Sequence, residues 1–268
     1  MGDLDDDELL AVLHDTATAV RTALDALTDW GLAGTVDWQY RHDLTADAAA
    51  LPVLQRAGLG VVSEESGEHR PERGVVVVLD PVDGSTNASR GIPWYNTSLC
   101  ALDEEGARAA VVVNQANGSR YQAVRGAGAS CDGRPLRPSG CTSLSEAVVG
   151  LNGYPSRHYG WKQYRALGSA ALDLCAVADG ILDGYVDCTD SGHAPWDYLG
   201  GLLICREAGA LVVDADDREL VTAEHGARRT PIAAATPALL AELLSARGGS
   251  GHTNFGLIRK SVDGQGPI

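Results

Sequence analysis

The stretch VVVVLDPVDGSTN, residues 75–87, decides how the chain is read. Val75 to Leu79 make a short apolar run rich in β-branched residues, which predicts a buried strand. The strand runs directly into a carboxylate, Asp80. Pro81 fixes the turn and removes an amide that would otherwise need a partner. Asp83 returns a second carboxylate three residues on, and Gly84 permits close backbone approach. A helix starting near Ser85 would leave the N–H groups of Gly84, Ser85 and Thr86 free as an anion cradle. Two carboxylates beside an anion cradle make sense with a cation between them. The oxygen donors, with the Val82 carbonyl as an addition, suit a hard ion such as Mg²⁺, and the His and Cys ligands favoured by Zn²⁺ are missing from this stretch.

Two more segments have the same character. Ser63-Glu64-Glu65-Ser66-Gly67 follows the short run Val61-Val62, and Pro195-Trp196-Asp197 opens a helix with Pro in its first turn. Each has an ordinary reading when taken alone. D-P-x-D-G is a common turn, Glu64-Glu65 suits a solvated loop, and Trp196-Asp197 suits a buried Trp beside a helix-capping Asp. Taken together, each at a strand end or a helix mouth, they point to one acidic constellation.

Composition narrows the function classes. The chain has 268 residues, 44% apolar and 21% charged, an ordinary globular balance. No apolar run is long enough to predict a membrane span. Lys+Arg number 21 against 36 Asp+Glu, a formal charge of -15, which disfavours nucleic-acid partners. The only lysines are Lys162 and Lys260, so a bound metal is one answer to where a positive site would come from. Six cysteines show no CxxC pair, and Cys100, Cys175 and Cys205 read as small core residues rather than a disulfide framework. The opening MGDLDDDELL lacks the basic-then-apolar order of a signal peptide, so a cytoplasmic address is expected. P-loop, G-x-S-x-G and H-E-x-x-H motifs do not occur.

Apolar periodicity predicts helices over 5–28, 46–57, 170–178, 195–208 and 237–246. Strands are expected at 61–62, 75–79, within NTSLCAL, AAVVVN and SRYQAVR between 96 and 125, and near 148–149, 181–187 and 211–213. Residues 126–143, rich in Gly, Pro and Ser, read as loop, and Gly248-Gly249-Ser250-Gly251 as a flexible joint. The class is therefore mixed α and β with antiparallel pairs in the middle.

The combination SEES, LDPVDGSTN and PWD resembles the inositol monophosphatase family of Mg²⁺-dependent, lithium-sensitive phosphatases, which shares a fold with fructose-1,6-bisphosphatases and bisphosphate nucleotidases. The likeness extends to Arg125–Ala129 with Asp132–Leu136, to Leu167–Cys175, and to Trp196-Asp197 through Glu207–Ala210, and so covers roughly residues 5–246. It implies an α+β fold, a layered α-β-α-β-α sandwich with mixed and antiparallel sheets. It also implies an N-terminal subdomain over 1–147, a C-terminal one over 148–247 and a tail over 248–268.

The resemblance further implies residue roles. Glu64, Asp80 and the Val82 carbonyl would hold a first Mg²⁺, Asp80, Asp83 and Asp197 a second, and Glu64 a third, weaker ion. Ser85, where the family usually has Thr, would orient the attacking water. Asp47 would pair with that hydroxyl, with Asp43 as competitor because the Asp43–Asp47 stretch is shorter than the family's. Gly84, Ser85 and Thr86 would cradle phosphate. Asp187, Asp190 and Ser169 would meet the substrate, although the loop before Asp197 is expanded. His193, in that loop, reads as a solvated residue or a substrate contact, and Arg157 as a surface residue or a contact to a second phosphate. The reaction implied is hydrolysis of a small phosphorylated metabolite by direct attack of water. Inositol-1-phosphate is the default substrate, with histidinol phosphate, fructose-1,6-bisphosphate and 3′-phosphoadenosine 5′-phosphate as alternatives. A homodimer is implied, without nucleic-acid or membrane partners. A non-catalytic interaction protein on the same fold is the competing class.

Overall fold

The protein, seen in a computed structural model, is described here over residues 4–34, 39–190 and 192–248. One sheet has eight strands, in spatial order β2 (Gly67–His69), β1 (Gly60–Ser63), β3 (Val76–Asp83), β4 (Asn96–Asp103), β5 (Gly106–Asn114), β6 (Arg120–Val124), β7 (Gly128–Cys131) and β8 (Arg134–Pro135). Within it only β1 and β3 run parallel. The second sheet orders β10 (Gln163–Arg165), β9 (Val148–Asn152), β11 (Gly184–Asp187), β13 (Pro231–Ala234) and β12 (Leu211–Asp214), with parallel and antiparallel pairs.

The layers follow from which faces are apolar. Helix α1 (Asp6–Asp25) buries Leu9, Leu13, Ala17, Val20 and Leu24, one stripe at helical period. Its start is fixed by a capping box: Asp5 accepts from Glu8 N at 2.8 Å, and Glu8 accepts from Asp5 N at 3.1 Å. With α2 (Arg41–Arg56) it covers one face of the large sheet, meeting Val61, Val77, Leu79, Leu99 and Val111. Helices α4 (Ala170–Ala178) and α5 (Pro195–Ala208) are buried almost all round, because they lie between the two sheets in a core that includes Val62, Val112, Tyr185 and Ala233. Helix α6 (Pro237–Gly248) seals the outer face of the small sheet with Leu239, Leu240 and Leu243. The result is the expected α-β-α-β-α sandwich. Its central core draws on residues either side of position 147.

Two adjacent glycines let α5 occupy the middle layer. A Cβ on Gly200 would meet Ser98 Oγ at 2.6 Å and Val112 Cγ2 at 2.9 Å, while one on Gly201 would meet Leu174 Cβ at 2.6 Å and the Ala171 carbonyl at 3.0 Å. Leu174 is fully buried and has no room to retreat. Gly201→Ala is therefore expected to destabilise by about 1–3 kcal/mol, the usual cost of overpacking, measured by denaturant unfolding. Wild-type stability in that variant would show that the α4–α5 contact is looser than described.

Some expectations need correction. Residues 126–143 are not all loop, since β7 and β8 form there. Backbone pairing, such as Tyr121 with Cys131, carries these strands without an apolar alternation. Helix α2 begins at Arg41 rather than near Ala46. Residues 249–251 of the expected joint and the tail up to 268 lie outside the described residues.

Candidate active site

Three chain ends meet at one edge of the sandwich. Strand β3 pairs regularly with β4 as far as Asp80, then its register shifts between Asp80 and Asp83. Pro81 sits in the shift, where its missing N–H costs no ladder bond. The bulge brings Asp80 and Asp83 to the same strand end. Strand β1 runs parallel to β3, and Glu64 N donates to the Leu79 carbonyl at 3.1 Å, so Glu64 leaves the sheet beside Asp80. Asp197 lies in the first turn of α5, its Oδ2 accepting from Ala194 N at 2.9 Å.

These acids feel one another. Burial, then Glu64, Asp83, Asp197 and Asp43, hold the Asp80 carboxyl well above the usual range. Burial, then Asp197, Glu65 and Asp43, do the same to Glu64, with only its contact to Asp80 working the other way. Glu64 is crowded by protein yet still reaches solvent. Asp83 is pushed up to about 6, chiefly by burial and next by Asp197, against hydrogen bonds from Ser169, Ala171 and Asn96.

Those hydrogen bonds fix Asp83. Its Oδ2 accepts from Ser169 Oγ at 2.7 Å, Ala171 N at 2.9 Å and Asn96 Nδ2 at 3.0 Å. Ser169, expected on the substrate, thus caps α4 and steadies Asp83, and it also lines the adjoining cavity. Asp80, 1% exposed, has a buried Oδ1 with no hydrogen-bond partner. Among the described residues, no group of three or more His, Cys, Asp or Glu side chains is arranged so that it could by itself hold a metal ion. The oxygen donors, the orphaned Asp80 Oδ1 and the raised carboxyls of Glu64, Asp80 and Asp83 fit a hard cation.

The hydroxyl–acid pair differs from the first assignment. Ser85 Oγ donates to Asp43 Oδ1 at 2.8 Å and also lies 2.8 Å from the Val82 carbonyl. Asp47, the acid first placed there, instead accepts from Ser63 Oγ, which in turn accepts from Glu65 N at 3.3 Å. It therefore holds the turn that carries Glu64. Asp43 and Asp47 are one helical turn apart on the same buried face of α2, so periodicity alone did not separate them. Burial pushes Asp43 up to about 6, against hydrogen bonds from Ser85 and the Tyr40 amide. Behind it stands His42, fully buried between the rings of Trp30 and Tyr40, with Nε2 3.3 Å from Asp43 Oδ1. Gly84 precedes the short helix α3 (Ser85–Arg90) with φ +91°, and a Cβ there would meet the Trp94 carbonyl at 3.0 Å. Thr86 is exposed beside it.

A cavity of about 190 Å³ adjoins the acids, lined in part by Asp83, Asn152, Ser169, Asp173, Tyr185 and His193. Asp187 is fully buried, its Oδ1 taken up by Asn152 Nδ2 and by both donors of Thr189. Gly192 packs against it, so closely that a Cβ would come within 2.8 Å of Asp187 Oδ2. Asp190 is exposed and is not among the lining residues. Asp187 is thus covered, while Asp190 is exposed outside the lining of this cavity. Arg157 takes the surface reading, binding the Ala246 carbonyl at 2.6 Å. His193 is not the solvated loop residue that was one reading. It is 8% exposed, with Nε2 2.7 Å from the Tyr185 hydroxyl and Nδ1 3.2 Å from Asp197 Oδ2. Burial opposes its charge, but Asp197, Asp187 and Asp83 outweigh burial and raise its pKa.

The profile of the Inositol monophosphatase family matches residues 31–251. The chain is 33% identical over 228 residues to a fructose-1,6-bisphosphatase/inositol-1-monophosphatase of Archaeoglobus fulgidus, covering 81% of this chain and 88% of that protein. It is 32% identical over 202 residues to Nus factor SuhB of Salmonella typhimurium, covering 68% of this chain and 73% of the relative. The structure of extragenic suppressor protein SuhB from Bartonella henselae superimposes with a TM-score of 0.76 at 27% identity, over 89% of this chain and 98% of that one.

Proposed function

Because the chain belongs to the inositol monophosphatase family, we propose that it is a Mg²⁺-dependent phosphatase acting on a small phosphomonoester. The observation that carries this reading is the neighbourhood of Glu64, Asp80, Asp83 and Asp197 in one acidic cluster with an orphaned buried oxygen. These four acids, with the Val82 carbonyl, are the residues that would hold Mg²⁺. Bound there, the ion would neutralise the phosphoester and lower the pKa of water.

The chain's own groups do the rest. Asp83 is anchored through Oδ2 and Asp197 through Oδ2, so each holds its orientation while the other oxygen remains for a cation. The Ser85 hydroxyl, held against Asp43, orients the attacking water, and Asp43 takes up its proton. The first amides of α3, at Gly84, Ser85 and Thr86, hold the phosphate oxygens. No Lys or Arg is among the described residues lining the cavity, which favours a monophosphate over a bisphosphate. A non-catalytic role, which relatives named as Nus factors bring to mind, is disfavoured by the complete acid set and by a net charge of -15.

A phosphate-release assay over polyol, sugar and nucleotide phosphates, with and without Mg²⁺, tests the reading. Mg²⁺-dependent release from a polyol or sugar monophosphate is expected, with inhibition by Li⁺. No release from any substrate would overturn it.

The cluster also sets a pH dependence. Asp43 and Asp83 rise from 3.8 to about 6 on folding. An acid raised in this way contributes stability that is complete below its unfolded pKa and lost as pH climbs through the folded one. The metal-free protein should therefore lose melting temperature as these acids ionise between about pH 4 and 7. Mg²⁺ should raise the melting temperature more at about pH 7.5 than at about pH 5. Equal shifts at both would contradict the proposed ligand set.

A further inference from the structure

We propose that His193 is a positioning residue for the metal cluster, holding Asp197 in its ligating orientation with Tyr185 behind it. The proposal rests on the phosphatase reading and adds to it a residue that the acid motifs do not contain. Three observations carry it.

First, His193 is pinned on both sides of its backbone. Its N–H donates to the Arg229 carbonyl at 3.1 Å, and its carbonyl accepts from Arg229 N at 2.7 Å. Second, the ring is held at both nitrogens. Asp197 Oδ2 is already an acceptor, for Ala194 N, and Nδ1 as donor completes its pair at 3.2 Å. Nε2 meets the Tyr185 hydroxyl at 2.7 Å, in a region where Tyr185 is fully buried. Third, the loop that places the ring is shaped for the purpose. Gly192 folds onto Asp187 and Thr189 where no side chain would fit, and the chain reaches position 193 already inside the protein.

The consequence is a division of labour between oxygens. Asp197 Oδ2 accepts from both His193 Nδ1 and Ala194 N, which fixes the carboxylate plane before any ion arrives. A ligand held this way loses less freedom on binding, and such outer contacts are typically worth about 10–100-fold in metal affinity. Tyr185 acts one step further out by setting the ring's rotation.

Asn and Gln separate this role from simple packing. The Asn amide nitrogen takes the place of Nδ1, and the Gln amide nitrogen takes the place of Nε2. Mg²⁺ binding is measured by calorimetry on the full chain without substrate, with thermal unfolding in parallel. His193→Asn, which keeps the bond to Asp197 and loses only the one to Tyr185, is expected to weaken binding several-fold, and His193→Gln by about 10–100-fold. Tyr185→Phe, which deletes one oxygen and keeps the ring, is expected to weaken binding several-fold. It carries the test alone if a His193 variant fails to fold. Wild-type affinity in both His193→Gln and Tyr185→Phe overturns the proposal, as does equal loss in His193→Asn and His193→Gln. Failure of the wild-type protein itself to bind Mg²⁺ would instead overturn the phosphatase reading.

Discussion

Asp80→Asn should abolish turnover and stabilise the metal-free protein at the same time. Asp80 is 1% exposed, lacks a partner for Oδ1, and faces Glu64, Asp83, Asp197 and Asp43. Removing its charge leaves the shape of the site and takes away its central repulsion. Without metal, that relieves strain and should raise the melting temperature, at about 2–4 °C for each kcal/mol regained. With Mg²⁺ and substrate it removes a metal charge, and kcat should fall by at least about 10²–10³-fold, the scale for losing one preorganised electrostatic group. A residue kept for stability would behave in the opposite way. A variant that is both less stable without metal and still active would break the ligand assignment.

The second large effect concerns Ser85 and Asp43. In the proposed reaction, their contact of 2.8 Å would make them one unit for handling the proton of the attacking water. Ser85→Ala and Asp43→Asn should each lower kcat by about 10²–10⁴-fold, the range for a positioned acid–base group. The double variant should be little worse than the worse single one, because either change already disables the unit. Asp47→Asn is the control. It retains an oxygen for Ser63 to donate to, so kcat should stay within about 10-fold of wild type. A collapse in Asp47→Asn with normal rates in Asp43→Asn would restore the first assignment.

Much of the fold was legible because its punctuation is chemical. Helix α4 spans the predicted 170–178, with Ser169 accepting from Leu172 N as its cap, and α5 spans 195–208 between Pro195 and Gly209. Strands without periodicity were not legible. Gln163–Arg165 is exposed throughout and is held by backbone pairing to β9, and Pro231–Ala234 is a short buried run between two neighbours. The early start of α2 was hidden for a related reason. His42 is polar in sequence but buried in space, with Tyr40 stacked on it and Trp30 packed at a tilt.

The acids themselves were readable only in combination, since each segment is ordinary alone and the three together point to one cluster. Their supports were not. Asn96, which binds both Asp83 and Ser169, sits at the start of a strand that reads as core. His193 and Tyr185 are eight residues apart, across a turn whose path the composition does not specify. Side chains that act through another residue leave no spacing rule, because the contact is set by tertiary packing.

The most direct test of the central claim is a crystal structure grown with Mn²⁺ in place of Mg²⁺, read from anomalous scattering. The account predicts at least two peaks among Glu64, Asp80, Asp83 and Asp197, with carboxylate oxygens at about 2.0–2.2 Å. Peaks elsewhere on the protein, with Asp80 Oδ1 still unligated, would contradict it.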